Sequence, residues 1–285
     1  MKRINLGLFL VTPSIFFVFL FLIFPLFFTI YCSMFELKYL VFDKSIGFMN
    51  YFDLASDSEV IHSVCYTLIV SMISVTISIV CGLFLALLID SQKSISSYFL
   101  QILGLIPWIT SMVVAALLWR WIFDRDLGLL NYIISSVGFN KINILGNALN
   151  ASSALMFVIS WRTFGYAMVI ILAGLKGISQ DILEAAKTDG ANNFNLLWRI
   201  KIPMLKTPLL VSTIVITLSN FNNITVPLTL TGGGPGGATT LINLLSYRLG
   251  FVYYNFGMSS ALSCIVFVIN ISIIVFYVRM VKYDV

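Results

Sequence analysis

Thr213, Thr217, Asn220 and Ile224 fall at i, i+4, i+7 and i+11 of an otherwise apolar run, with Asn223 beside them at i+10. On a helix this spacing gathers hydroxyls and carboxamides on one face, and Asn220 and Asn223, three apart, share it. A carboxamide offers both donors and acceptors, as does a hydroxyl. The stripe therefore suits a solute carrying many hydroxyls. It equally suits hydrogen bonding between helices in lipid. Thr67, Ser71, Ser74 and Ser78 repeat the spacing on another run, and there the small residues are read as a close-packing face. Trp108, just after Pro107, either stacks on a sugar ring or packs. Arg162, Thr163 and Tyr166 form a third polar cluster. An arginine inside such a run faces a cavity or a partner, and so meets an acidic group of a solute or a carboxylate of another chain.

Other chemistry is sparse. His62 is the one histidine, and no Ser/His/Asp or Cys/His set assembles around it. Of the four cysteines, Cys81 and Cys264 lie in apolar runs and behave as small hydrophobes. Cys32 and Cys65 are both expected near one membrane face, so a disulfide between them is open. No metal-ligand spacing is present. The run Gly232-Gly233-Gly234-Pro235-Gly236-Gly237 formally satisfies G-x-G-x-x-G. Without a βαβ unit, and with Pro235 interrupting it, it reads as a flexible turn and not a nucleotide site. No segment matches G-x-x-x-x-G-K-[ST]. The chain is expected to be no enzyme and to bind no cofactor or metal.

What must position these residues is a membrane-spanning scaffold. Hydrophobic residues make up 59% of the chain, charged residues 10%, and the mean hydropathy is +0.99. Six runs, at 6–31, 63–89, 98–121, 153–175, 208–230 and 258–279, approach the roughly 20 residues a spanning helix needs. The expected fold is all-α and polytopic, a single transmembrane domain over 1–285. The first run is basic at its start but too long for a cleaved signal, and is read as a retained helix.

Orientation follows from lysine and arginine placement. With the N-terminus inside, Lys2, Arg3, Lys93, Lys176, Lys187, Arg199, Lys201, Lys206, Arg279 and Lys282 lie inside, and Lys38, Lys44, Arg125, Lys141 and Arg248 outside. Both termini are then cytoplasmic. This bias accounts for the net charge of +5 without a nucleic-acid partner. Trp119 and Trp121 flank Arg120 where the third run leaves the outer leaflet, which fits an interfacial belt with a snorkelling arginine.

One polar segment stands out, EAAKTDGANNFNLLWRIKIP at 184–203. Glu184, Ala185, Ala186 and Lys187 favour helix. Gly190 supplies a left-handed turn. A second short helix, 192–200, is expected to end before Pro203. Arg199 and Lys201 either serve the segment or meet lipid phosphate.

In register, Glu184-Ala185-Ala186, Asp189-Gly190-Ala191 and Ile200-Lys201-Ile202-Pro203 resemble the EAA signature of the membrane subunits of bacterial ABC importers. Leu230-Thr231-Gly232-Gly233-Gly234-Pro235 followed by Thr239-Thr240, GFMNYF at 47–52, Ala173-Gly174-Leu175 and Asn255-Phe256-Gly257 are similar to the carbohydrate branch, of maltose and glycerol-phosphate type. The resemblance implies a six-helix type I importer permease in the bacterial inner membrane. It implies a second homologous permease subunit (a heterodimer), two ATPase subunits that hold ATP and Mg, and an extracytoplasmic binding protein that delivers a sugar. Segment 180–203 would be the coupling segment. Glu184 would lie at the docking surface and Gly190 in its turn. Ala185, Ala186 and Ala191 would allow close approach, with Asp189 and Pro203 completing the motif. Family members use polar residues at the positions of Asn220 and Asn223, and an aromatic at that of Trp108. Glycerol phosphate, a polyamine or an amino acid would suit the same build. A lone secondary transporter or channel would instead need embedded acids or matched broken helices, and Asp90 and Asp124 lie only at the ends of runs.

Overall fold

Lipid offers no partner to a backbone amide, so an apolar chain must satisfy its main chain within helices. The computed structural model describes residues 6–92 and 95–280, and they are predominantly helical. Lys2, Arg3, Lys93 and Lys282, four of the cations used above for orientation, lie outside the described residues. Among the described residues, four helices are long and apolar enough to span a membrane: α1 (Leu10–Cys32), α2 (Ser58–Ser91), α5 (Ala148–Lys176) and α10 (Phe256–Met280). Two bent pairs would raise the number to six if each is counted as one span. They are α3 (Ile95–Ile109) with α4 (Met112–Ile122), and α7 (Asn193–Met204) with α8 (Lys206–Phe221).

Two of the expected runs are broken. The run 98–121 is not one rod: its halves meet at 96°. Ser111 is extended at φ −53°, ψ 138° and opens α4, while the Thr110 hydroxyl donates to the Ile106 carbonyl and closes α3. The run 208–230 is likewise broken. α8 stops at Phe221, and α9 (Thr225–Leu230) starts after a three-residue gap.

The chain divides into two compact units. One draws on Met1–His62 and Leu245–Ile269. It holds α1, a short hairpin of β1 (Phe35–Lys38) with β2 (Val41–Ser45), and the start of α10. The hairpin was not evident in the sequence, because Tyr39 and Leu40 take left-handed φ of 50° and 64° without glycine. Asn50 ties it down by donating to the carbonyls of Ser33 and Phe35 at 2.9 and 3.1 Å.

The second unit draws on Ser63–Leu244 and Asn270–Val285. Its centre is α5, whose most apolar window is 56% buried. Because lipid tails are as apolar as leucine, close approach through small residues holds such helices together. A Cβ on Gly82 would meet the Ala167 Cβ at 2.6 Å, and one on Gly165 would strike the Gly104 carbonyl. The hydroxyl stripe of α2 packs as expected. Thr67, Ser74 and Ser78 are fully buried, and Ser71 is 3% exposed. The Ser74 hydroxyl donates to the Met156 carbonyl at 3.4 Å, and Thr67 accepts the Ile242 N–H at 2.9 Å. Trp119 and Arg120 also have partners inside the protein. Trp119 packs edge-on against Phe157 and Trp161, and Arg120 donates to the Thr229 carbonyl at 3.1 Å. All four cysteines are free, so Cys32 and Cys65 are not paired.

Candidate functional site

Three places carry the polar residues singled out in the sequence. The first is the segment beyond α5. Ser179 accepts the Asp181 N–H and opens α6 (Gln180–Thr188). Gly190, at φ +86°, closes it. The Gly190 N–H bonds the Lys187 carbonyl at 3.0 Å, and the Ala191 N–H bonds the Ala186 carbonyl at 2.9 Å. That pair of bonds is the Schellman termination, and the left-handed residue it requires is the glycine. Glu184, Ala185, Asp189, Gly190 and Pro203 are exposed, while Ala186 and Ala191 are half-buried. Asp189, Gly190, Ala191, Asn195, Arg199 and Ile200 line an open cleft of about 210 Å³. α6 thus presents an acidic, small-residue surface, with Glu184 accepting from Gln180 at 3.1 Å.

Pro203 does not end the following helix. α7 runs from Asn193, capped by the Asn192 side chain, to Met204, and turns only at Leu205. The reason is a π-turn at Leu196–Lys201. Its wider i→i+5 bonding makes room for a ring that would otherwise clash with the carbonyl four residues back. Lys201 is not left to lipid phosphate. Its Nζ lies 2.8 Å from the Asp90 carboxylate, and Lys176 lies 3.4 Å from the other oxygen.

The second place is the wall formed by α2, α8 and the end of α10. Ser71, Val75, Thr213, Thr217 and Tyr277 line part of a cavity of about 560 Å³. Thr217 donates to the Thr213 carbonyl at 2.7 Å and lies 3.3 Å from the Tyr277 hydroxyl. One turn on, Asn220 is 1% exposed, and neither its Oδ1 nor its Nδ2 has a partner among the described residues. Asn223 does not extend the stripe. Because α8 has ended, its Oδ1 accepts the Val226 N–H at 3.0 Å and caps α9. The expectation that Asn220 and Asn223 share a helix face is corrected by this break.

The fourth-span cluster also divides. Thr163 is buried in the seam with α2, its hydroxyl 2.7 Å from that of Ser78, so it is a packing residue here. Tyr166 and Trp108 lie together, ring centroids 5.5 Å apart, with Trp108 40% exposed. The Arg162 Nε is buried without a partner among the described residues.

Residues 78–282 match the family described as binding-protein-dependent transport system inner membrane component, and this stretch contains the 184–203 segment and the α8 wall. The trehalose/maltose transport system permease protein of Thermococcus litoralis is 32% identical over 99% of this chain and 95% of its own length. This chain belongs to that family of inner membrane components. The sulfoquinovosyl glycerol transport system permease protein of Agrobacterium fabrum is 28% identical over 97% of this permease and 90% of its own length. The fold agrees. A chain from the crystal structure of a bacterial alginate ABC transporter, in complex with an alginate pentasaccharide-bound periplasmic protein, superposes with a TM-score of 0.86. That match covers 98% of this chain and 94% of that one, at 21% identity.

The glycine turn of this permease is a bonded structure and not the flexible loop expected. Gly232, Gly233, Gly236 and Gly237 all take positive φ. The Thr239 hydroxyl reaches the Thr231 hydroxyl and the Gly234 carbonyl at 2.7 Å each, and Thr239 and Thr240 are fully buried. Sequence reasoning missed Asp90 as a partner of Lys201 and missed Tyr277 on the cavity wall. Neither residue sits in a motif, and both meet their partners only through the fold.

Proposed function

We propose that this permease is one of two homologous membrane subunits of an ATP-driven importer that passes a sugar or oligosaccharide delivered by an extracytoplasmic binding protein. The observation that carries the sugar reading is the end-to-end match to a relative named for trehalose and maltose transport. The wall supports it, since Thr213, Thr217 and Tyr277 supply uncharged hydroxyls there, and one turn beyond Thr217 the buried Asn220 amide lacks a partner among the described residues. An amide left so is costly unless something fills it, and a solute hydroxyl has the chemistry to do so. Trp108 beside Tyr166 offers an aromatic face. In this reading α6 docks an ATPase subunit on the cytoplasmic side, with Glu184, Ala185, Ala186, Asp189, Gly190 and Ala191 at the contact and Pro203 in the arm behind it. ATP and Mg belong to that partner.

One observation favours a second reading within the same architecture, an anionic solute. The Arg162 Nε is buried and unpaired among the described residues, and a carboxylate, sulfonate or phosphate would satisfy it.

Reconstitution into liposomes tests both. The chain is assembled with a homologous permease, ATPase subunits and a binding protein, and uptake of labelled maltose, trehalose and glycerol phosphate is measured with and without ATP. Import that requires ATP and the binding protein supports the proposal. A cysteine replacing Ala186, with native cysteines removed, should cross-link to the ATPase with a yield that ATP changes. Uptake by this chain alone, with no cross-link, would overturn it in favour of a stand-alone carrier.

A further inference from the structure

The arm α7 is joined to α8 at a defined pivot. The two helices meet at 61°, and the residue between them, Leu205, is fully buried. Leu205 is seated against α5, where a Cβ on Gly174 would lie 3.0 Å from its Cδ2 and 2.5 Å from the Pro208 ring. A helix pair bent at one buried residue can turn there as a lever. Were Leu205 the sole connection, the arm could swing while the rest of the unit stayed still.

A second connection exists, 111 residues distant in sequence. Lys201 on the arm and Asp90 in the last turn of α2 are 2.8 Å apart, with side chains only 18% and 17% exposed. Lys176, the last residue of α5, reaches the other carboxylate oxygen at 3.4 Å, but is 59% exposed. A pair largely withdrawn from water is screened less than a surface pair, and breaking it leaves a charge uncompensated. α2 carries Ser71 and Val75 on one wall of the 560 Å³ cavity, and α8 carries Thr213 and Thr217 on the other.

We infer that the Asp90–Lys201 pair is a latch that ties the arm to α2, so that displacement of the arm reaches both walls of the cavity together. Asp90 is a positioning residue in this scheme, touching no solute. Lys176 is a lesser contributor, because water already screens it. The inference rests on the import reading, in which the arm is what the ATPases move.

Its test has one part that needs only this chain. With Cys32, Cys65, Cys81 and Cys264 replaced, spin labels are placed at Phe194→Cys on the arm and Leu88→Cys on α2, and the full chain is studied in lipid nanodiscs. The parent and K201R give a narrow distance distribution, D90N and K201Q a broad one, and K176Q stays near the parent. Narrow distributions in D90N and K201Q overturn the latch. Should D90N fail to fold, K201Q against K201R decides. In the assembled transporter, K201Q hydrolyses ATP while uptake per ATP falls about tenfold, the factor that roughly 1.4 kcal/mol of lost coupling gives, and K201R recovers it. Native coupling in K201Q also overturns the latch. If the parent shows no ATP-driven uptake, the import reading fails by itself, and the spin-label distances still judge the pair.

Discussion

The hydroxyls of Ser78 and Thr163 lie 2.7 Å apart, joining α2 to α5 across 85 residues of chain. Each also lies within hydrogen-bonding distance of a carbonyl in its own helix, Ser78 of Ser74 and Thr163 of Ile159; with one proton apiece, one hydroxyl donates across the seam while the other donates within its helix. Thr163 is therefore committed to the seam. Thr163→Val keeps the shape and removes the hydroxyl. Interhelical hydrogen bonds in membranes average ~0.6 kcal/mol, so the melting temperature should fall slightly while the KM for uptake stays unchanged. A raised KM with unaltered stability would return Thr163 to the solute path. Thr217→Val, on the cavity wall, should show the opposite pattern.

Asn220 leads to a less intuitive expectation. A buried amide without partners costs about 1–3 kcal/mol, and an apolar group of similar shape removes that cost. Asn220→Leu should thus leave the chain as stable as the parent or more so in a detergent melt. Uptake should weaken by an order of magnitude, on the scale of two lost hydrogen bonds of about 0.5–1.5 kcal/mol each. A melting temperature that drops sharply would mean that the amide is structural.

How much of this was legible in the sequence depends on how far apart the interacting residues stand. The α2 hydroxyl stripe was readable, because one helix face is fixed by the 3.6-residue period. Gly190 was readable, because its turn is built from residues within one helical turn of it. The break at Asn222 was not. Asn220 and Asn223 satisfy the helix spacing equally well, and only the fold decides that the Asn223 amide caps α9. Pro203 misled for a related reason, since the rule that proline ends a helix assumes α-bonding, and the π-turn at Leu196–Lys201 suspends it. The Asp90–Lys201 pair has no local signature at all.

The turn at Gly190 makes a graded prediction. Nothing lies within 4 Å of the position a Cβ would take, so a substitution there pays in backbone conformation alone, roughly 1–2 kcal/mol for an ordinary L residue. Asparagine tolerates left-handed φ better than alanine, and a β-branched residue worst. ATP-driven uptake should fall in the order Gly190, Asn, Ala, Val, while the melting temperature barely moves, because α6 is exposed. Equal activity in the parent and all three variants would remove the turn from coupling.

Gly104 and Gly165 face each other between α3 and α5, yet their substitutions should differ. A Cβ on Gly104 would meet the Leu85 Cδ2 and the Met168 Sδ, each at 2.7 Å, which are ends of flexible side chains. A Cβ on Gly165 would instead strike the Gly104 carbonyl, which is backbone, and would press the Trp108 Cβ at 3.3 Å. A methionine thioether yields readily, and a helix backbone does not. G104A should therefore be nearly neutral. G165A should cost about 1–3 kcal/mol, the usual scale of overpacking. It should also push α3 off α5 and separate Trp108 from Tyr166. Tryptophan emission reports that second effect: with the other tryptophans replaced, the Trp108 band should shift in G165A and hold in G104A. If both variants melted together and both left the emission unchanged, the two helices would be approaching through side chains and not through their backbones.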